Sequence, residues 1–318
     1  MTRSLAPGGL TASPPRAAAR TGRPTRGGRL GRDTWWTALF LAPTVLGLAV
    51  LSAGPIVASL GISLTDWDLL SPPTAVGLDN FAALLGDERF LLALRNTVFF
   101  TVTSVPLGLV LGLGLALALD QRIRGIAIIR TAYFLPVVTS TTAIALVWLW
   151  IYSPQGGLLN DMLSAFGIPP QKWVSDPFWA MPSIVVMSVW QGLGTTVIIF
   201  LAGLQAIPEE YHDAAAVDGA GTWARFRHVT LPLLTPSVFF TGILAFIGSF
   251  QVFDQVYVLA RPGEPTKATI TLVYFIYESG FEHFKMGYAA AASWILFLIV
   301  AALTILYFRS QRRWVHYQ

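Results

Sequence analysis

Six long apolar runs restrict this chain to a fold embedded in a membrane. Each approaches or exceeds the ~20 residues that an α-helix needs to cross ~30 Å of hydrocarbon. Hydrophobic residues make up 54% of the 318 residues and charged residues 12%, whereas soluble domains carry about 25% charged residues. The sequence therefore predicts an all-α polytopic membrane protein with six transmembrane helices. The runs lie at 35–64, 92–119, 127–152, 178–205, 233–260 and 287–308.

The first 33 residues differ in composition from the rest of the chain. They are rich in Pro, Gly, Ala and Arg, and seven arginines precede Trp35. A segment of this kind buries too little apolar surface to offset its ordering entropy, so we predict that it is disordered. The run after Trp35 exceeds the about 7–15 residues of a signal-peptide core, which favours an anchoring span. The predicted organisation is a cytoplasmic tail at 1–33, a transmembrane domain at 34–313 and a cytoplasmic end at 314–318.

The positions of the basic residues predict the orientation. With the N-terminus inside, the inner segments hold fifteen of the 21 Lys and Arg residues and the outer segments hold six. Cytoplasmic loops carry the excess of positive charge, so both termini are expected in the cytoplasm. The tail contributes most of this difference. Without it, the inner segments hold eight Lys and Arg residues and the outer segments hold six. The net charge of +4 is thus explained by basic residues in the predicted cytoplasmic segments. We therefore expect the lipid bilayer as a partner and no nucleic acid.

The loop at 207–232 is polar and helix-prone, although it joins two apolar runs. Pro208 suits the first turn of a helix, and Ala214–Ala216 are the best helix formers. Gly219 permits a left-handed turn, and Thr222 can cap a second helix. The pattern predicts a helix–turn–helix at the membrane surface. Its small side chains favour close docking into a groove of a partner. The alternative is an amphipathic helix that lies on lipid headgroups.

The same loop carries a motif with specific spacing. Asp213-Ala214-Ala215 is followed after three residues by Gly219, and after nine more by Val229-x-Leu231-Pro232. This pattern resembles the signature of bacterial ABC-importer permeases, with Asp in place of Glu and Val in place of Ile. Further stretches resemble the carbohydrate-uptake branch, which includes maltose- and glycerol-phosphate-type permeases. They lie at 63–67, 77–81, 94–97, 218–220, 226–227 and 250–254.

The resemblance covers about residues 35–313 and implies a type I ABC-importer permease fold in a bacterial inner membrane. Such a permease pairs with a second, similar permease and is served by a cytoplasmic ATPase dimer and an extracytoplasmic sugar-binding protein. The loop would be the coupling helix that sits in a cleft of the ATPase. By this likeness, the coupling residues are Asp213, Ala214, Ala215, Gly219, Ala220, Leu231 and Pro232.

Polar residues within the spans are the candidates for a substrate path, because polar groups are expensive to bury in lipid. Amide and carboxylate groups can hydrogen-bond sugar hydroxyls. The alternative for each residue is a hydrogen bond that holds two helices together. The strongest candidates are Gln191, Gln251 and Asp254, and Asn96 is a further one.

The sequence lacks the usual components of a membrane enzyme. It has no cysteine and no G-x-x-x-x-G-K-[ST] motif, and its four histidines do not form a ligand cluster. We therefore expect this chain to bind no cofactor, with ATP and magnesium held by the ATPase subunit. Two alternatives stay open. One is an ABC importer for an amino acid, a peptide or phosphate. The other is an ion-coupled secondary transporter, which commonly shows internal repeats and intramembrane charges.

Overall fold

The computed structural model describes residues 30–120, 126–260 and 266–314. The chain divides into two compact units, Met1–Ile56 and Val57–Gln318. Most of the described backbone is helical. The α-helices are α1 Leu30–Leu48, α2 Gly54–Ser63, α3 Asp79–Gly86, α4 Glu88–Leu119, α5 Ile126–Val138, α6 Thr141–Ile151, α7 Leu158–Ser164, α8 Ala180–Gln205, α9 Glu209–Val217, α10 Thr222–Arg225, α11 Leu231–Phe250, α12 Asp254–Leu259, α13 Thr266–Thr269, α14 Leu272–Tyr277 and α15 Met286–Trp314.

Short irregular elements complete the described chain. Two-residue strands β1 (Thr65–Asp66) and β2 (Thr74–Ala75) pair antiparallel, with Thr65 opposite Ala75. One 3₁₀ turn and three π-helical turns connect or interrupt the helices. They are the 3₁₀ turn Trp173–Ser175 and the π turns Ala49–Ala53, Phe226–Thr230 and Glu278–Glu282.

Five helical segments of the described chain are long and apolar enough to cross a membrane. A bent pair, 131–138 with 141–151, makes a sixth if it is counted as one span. Four of the six predicted runs thus lie within or largely within continuous apolar helices, and the third and fifth are interrupted. The tail predicted at 1–33 mostly lies outside the described residues, but α1 already begins at Leu30. The five segments are 35–63, 88–119, 180–205, 222–250 and 286–311.

The third predicted span, 127–152, is not one continuous helix, which corrects the sequence analysis. The chain turns by 108° between Val138 and Thr141. Pro136 lies in the last turn before this break and cannot donate to the helix. Thr139 Oγ1 donates to the Leu135 carbonyl at 2.8 Å and so competes for a backbone acceptor. Helix α6 then restarts after Ser140, whose backbone is extended.

The fifth span also differs from the prediction of 233–260. Its helix begins at Thr222 and ends at Phe250, and residues 254–259 form the separate helix α12. The freed carbonyl of Val252 accepts a hydrogen bond from Thr271 Oγ1 at 3.1 Å. This bond satisfies a backbone group that a break inside a membrane would otherwise leave unpaired.

Helices α4 and α8 form the centre of the bundle. A Cβ atom at Gly112 of α4 would overlap the Thr196 side chain of α8. Four residues further on, Ala116 is fully buried in an apolar cluster with Phe200 of α8 and Leu234 of α11. Small residues thus let these backbones approach closely, as is common in membrane bundles. The C-terminal ends of α4 and α8 meet the start of α11, so all three lie at the end of the bundle that carries α9.

The opposite end is closed by hydrogen bonds between distant parts of the chain. We call it the cap end, formed by residues 63–91 and 270–289. Asp87 accepts from the Arg89 amide at 2.7 Å and caps α4. Its other oxygen accepts from the Tyr288 hydroxyl at 2.6 Å. Arg89 also pairs with Glu278, with its terminal nitrogen 2.5 Å from a carboxylate oxygen.

Candidate functional site: a central cavity and the 207–232 loop

A cavity of about 420 Å³ opens among α4, α8 and the junction of α11 with α12. Its volume lies within the about 300–1,000 Å³ range of small-molecule sites. The breaks in the third and fifth spans both border it. The lining residues are Phe100, Ser104, Val105, Gly108, Leu109, Thr141, Ser188, Val189, Gly192, Thr196, Ala245, Gly248, Ser249, Gln251, Val252, Phe253, Asp254 and Gln255.

Hydroxyl and amide groups give the cavity its chemistry. Ser188 Oγ is buried and has no hydrogen-bond partner. Ser249 Oγ lies 2.9 Å from Thr101 Oγ1, which links α11 to α4. Gln191 Nε2 donates to Thr141 Oγ1 at 3.0 Å and links α8 to α6. The wall therefore combines polar groups that already hold helices together with one buried hydroxyl that has no hydrogen-bond partner.

The structure separates the four path candidates. Gln251 and Asp254 line the cavity. Gln191 does not line the cavity. Its side chain donates a hydrogen bond to Thr141, and Thr141 does line the cavity. Asn96 lies outside the lining and is 7% exposed. Its amide donates to the Ile270 carbonyl at 3.0 Å, where it connects α4 to the segment before α14.

Several lining residues did not stand out from the sequence. Phe100 and Phe253 contribute ring surface, and Gly108 and Gly248 leave room for the cavity. Gly108 lies one turn before Gly112, which packs against Thr196, yet no atom lies within 4 Å of the place that a Cβ of Gly108 would take. The sequence does indicate the side of the cavity that the fifth span forms. Gly248 and Gln251 interrupt the apolar run 233–260 there.

The 207–232 loop begins with a short exposed helix. Helix α9 starts at Glu209, one residue after Pro208, so Pro208 precedes the first turn and does not lie within it. Helix α9 has no buried residue. Asp213 and Ala214 are exposed, and Ala215 is partly exposed. A helix with small side chains and no buried residue leaves a narrow surface free for close approach by another molecule.

Gly219 ends α9 in the manner that the sequence predicted. Its φ is +77°, in the left-handed region. Its amide donates to the Ala216 carbonyl at 3.1 Å, and the Ala220 amide donates to the Ala215 carbonyl at 2.9 Å. These two bonds form a Schellman motif, in which a glycine supplies the left-handed residue. The motif fixes the direction in which the chain leaves α9.

The second helix of the loop is the start of the fifth span. Gly221, not Thr222, occupies its N-cap, and no side chain caps it, so the predicted capping role of Thr222 is wrong. Helix α10 passes through the π turn Phe226–Thr230 directly into α11. In that turn the Leu231 amide donates to the Phe226 carbonyl. Such a wide turn accommodates Pro232, which follows it and has no amide hydrogen. The loop is thus joined rigidly to a span.

Comparison with known proteins agrees with this architecture. Residues 91–316 match the family described as binding-protein-dependent transport system inner membrane component. The chain is 36% identical over 283 residues to the probable ABC transporter permease protein YesP of Bacillus subtilis (strain 168), which covers 88% of this chain and 91% of YesP. It is 36% identical over 280 residues to the lactose transport system permease protein LacF of Rhizobium radiobacter, over 86% of this chain and 93% of LacF.

A solved structure has the same fold. It belongs to a bacterial alginate ABC transporter in complex with an alginate pentasaccharide-bound periplasmic protein. The TM-score is 0.80 at 23% identity, over 89% of this chain and 96% of that chain. The present chain therefore belongs to the family of binding-protein-dependent transport system inner membrane components. It is a permease of an ABC importer and a multi-pass protein of the inner membrane, which confirms the predicted polytopic α-helical permease fold and the family. Six spans with both termini in the cytoplasm stay a prediction.

Proposed function

We propose that this permease moves a neutral, hydroxyl-rich sugar through the cavity between α4, α8 and α11. The observation that carries this proposal is the lining itself. It offers hydroxyls and amides, the aromatic rings of Phe100 and Phe253, and Asp254 as the single ionisable side chain among the described lining residues. The lactose permease LacF among the relatives supports a sugar as the solute class.

The charge of the cavity argues against an anionic solute. Asp254 would repel a phosphate or phosphate ester, and the described lining residues include no cation that could offset this repulsion. A neutral sugar can instead donate its hydroxyl hydrogens to Asp254 and Gln251 and accept from Ser188. A hydrogen bond that involves a charged group contributes about 1.5–3 kcal/mol. Asp254 is therefore the lining residue with the largest expected effect on affinity.

Energy for transport would come from a separate ATPase dimer that contacts α9. Both termini and α9 then lie in the cytoplasm, and a second permease and an extracytoplasmic binding protein complete the transporter. The exposed α9 and its fixed junction to α11 support this arrangement, because movement of α9 would be transmitted along a continuous helix to Gln251. In this role the chain binds no cofactor, and ATP with magnesium belongs to the ATPase.

Uptake by the complete importer in liposomes tests the substrate. We expect uptake, driven by ATP, of one or more neutral sugars and none of sn-glycerol 3-phosphate. Asp254→Asn should raise the KM for the sugar about tenfold, which corresponds to about 1.4 kcal/mol. Asp161→Asn is the matched control, since Asp161 is an exposed residue of α7 outside the cavity lining.

Two outcomes would overturn the proposal. One is a preference for the phosphate ester over every neutral sugar. The other is transport by the purified chain alone, driven by an ion gradient, which would favour a secondary transporter. Co-purification provides a separate check of the ATPase contact. Asp213→Ala should reduce the amount of ATPase that is retained, whereas Asp254→Asn should not.

A further inference from the structure

A second cavity, of about 680 Å³, lies beside the 207–232 loop and plays no part in the proposed sugar path. It is bounded by the last turn of α4, by α9 and by the first two turns of the fifth span. Its lining residues are Leu117, His212, Thr222, Trp223, Arg225, Phe226 and Thr230.

The chemistry of this cavity points to an anion. Arg225 Nε is buried and has no hydrogen-bond partner. The only ion pair among residues 30–120, 126–260 and 266–314 joins Arg89 to Glu278, so no described carboxylate neutralises Arg225. Arg225 as a whole is partly exposed, so a ligand can approach its guanidinium, and a guanidinium is well suited to bind phosphate oxygens. The hydroxyls of Thr222 and Thr230 and the His212 ring add further hydrogen-bonding groups in the same wall.

The depth of the cavity points to the lipid headgroup layer. The fifth span has 29 residues, 222–250, and is therefore about 43 Å long at ~1.5 Å per residue. Only ~30 Å of hydrocarbon must be crossed, and α11 alone, with 20 residues, spans that distance. Residues 222–230 thus lie at the level of the headgroups. Leu117 lies two residues before the end of α4 and reaches the same level.

The apolar part of the wall distinguishes a lipid from a small free anion. Leu117, Phe226 and Trp223 form this part, and Trp223 is 71% exposed. Its ring lies 5.5 Å from that of Phe226. Tryptophan favours the membrane interface, where one side is apolar and the other hydrated. A free phosphate ion would use none of this surface, whereas a phospholipid would place its phosphate on Arg225 and its glycerol and first methylenes against the rings.

We propose that this cavity binds the headgroup of an anionic phospholipid and so holds a lipid beside the 207–232 loop. The bound lipid would fill the space between α4 and the fifth span and neutralise Arg225. Basic pockets between transmembrane helices are known sites for anionic headgroups. The inference does not depend on which solute the permease transports.

Titration of the full-length chain in detergent with dioctanoyl phosphatidylglycerol tests this site. Arg225→Gln should raise the dissociation constant about tenfold, because it removes a charge-assisted contact with phosphate. Arg227→Gln is the matched control, since Arg227 is exposed and does not line the cavity. It should change the constant less than twofold. Dioctanoyl phosphatidylcholine should bind at least tenfold more weakly than phosphatidylglycerol.

A second variant tests the site independently in case Arg225→Gln does not fold. Leu117→Trp fills the cavity from the α4 side without changing any charge, and it should weaken binding to a similar degree. Equal effects of Arg225→Gln and Arg227→Gln would overturn the proposal. Displacement of the lipid by an equal concentration of inorganic phosphate would also overturn it and identify a free anion. Loss of the lipid when the ATPase subunit binds would overturn it as well, and would indicate that a protein carboxylate occupies the site.

Discussion

The two ends of the Val57–Gln318 unit are built in opposite ways. At the cap end, residues distant in sequence satisfy one another, as in the Arg89–Glu278 pair and the Tyr288–Asp87 hydrogen bond. At the α9 end, helix α9 buries none of its residues, and Arg225 Nε has no partner. One end is thus stabilised within the chain, whereas the other leaves surface and charge for other molecules. Substitutions at the cap end should therefore change stability, and substitutions at the α9 end should change transport.

The largest expected effect follows from Gly219→Thr. A β-branched residue at φ +77° carries backbone strain of about 1–3 kcal/mol, while the space around its Cβ is open, so crowding plays no part. Loss of the left-handed turn would redirect α9 relative to α11. We expect ATP-driven uptake to fall tenfold or more, with an unchanged amount of folded protein in the membrane. Uptake assays with parallel measurement of the thermal unfolding midpoint check this.

Gly221→Thr provides the matched control for this substitution. Gly221 also has open space around its Cβ, but its φ of −68° is ordinary. Threonine and glycine are about equally good at an N-cap. Uptake should therefore stay within about twofold of wild type. A similar loss in both variants would mean that the glycines act through local flexibility and not through the left-handed turn.

The sequence predicted this turn because its signal is local. Gly219 follows a run of helix formers, and the Schellman motif needs only six consecutive residues. The spans were predictable for a related reason, since length and hydropathy alone determine whether a helix can cross a membrane. Helix length, hydropathy and turn-forming residues were thus sufficient to predict most of the helices and the turn at Gly219 in the 207–232 loop.

The breaks in the spans were not predictable from the same rules. Pro106 and Pro236 lie inside continuous helices, whereas Pro136 precedes a turn of 108°. Proline alone therefore does not locate a break, because the outcome depends on which distant groups satisfy the freed backbone. Likewise, the sequence could not distinguish Asn96, which binds the distant Ile270 carbonyl, from Ser188, which faces a cavity. Both distinctions require tertiary contacts.

At the cap end, Asp87→Ala should have the largest effect on stability. It removes the N-cap of α4 and the acceptor for the Tyr288 hydroxyl. Loss of such a cap costs about 1–2 kcal/mol. We expect a lower thermal unfolding midpoint, with transport per folded molecule unchanged. Glu88→Ala is the control, because Glu88 is the exposed neighbour in the first turn.

The same carboxylate predicts a pH dependence. Partial burial raises the pKa of Asp87, but the hydrogen bonds from Tyr288, Arg89 and Phe90 outweigh it, and the pKa lies below the ordinary value of 3.8. A lowered pKa in the folded state means that the stabilisation is fully present above about pH 4 and is lost as the pH falls through the folded-state value. The difference in stability between wild type and Asp87→Ala should be constant above pH 4 and shrink below it. A difference that grows as the medium is acidified would contradict this assignment.

The smallest effect is expected from Glu278→Gln, which neutralises one partner of the Arg89 ion pair. The Arg89 side chain is 45% exposed and that of Glu278 is 13% exposed, so solvent screens the pair and its contribution is about 0.5–1 kcal/mol. We expect a small decrease in the unfolding midpoint that disappears in about 1 M salt, where the Debye length is about 3 Å. Glu282→Gln is the control, since Glu282 is exposed and lies one turn further along the same segment. If Glu278→Gln reduced uptake and left the midpoint unchanged, the cap end would also take part in transport, and the division between the two ends would be wrong.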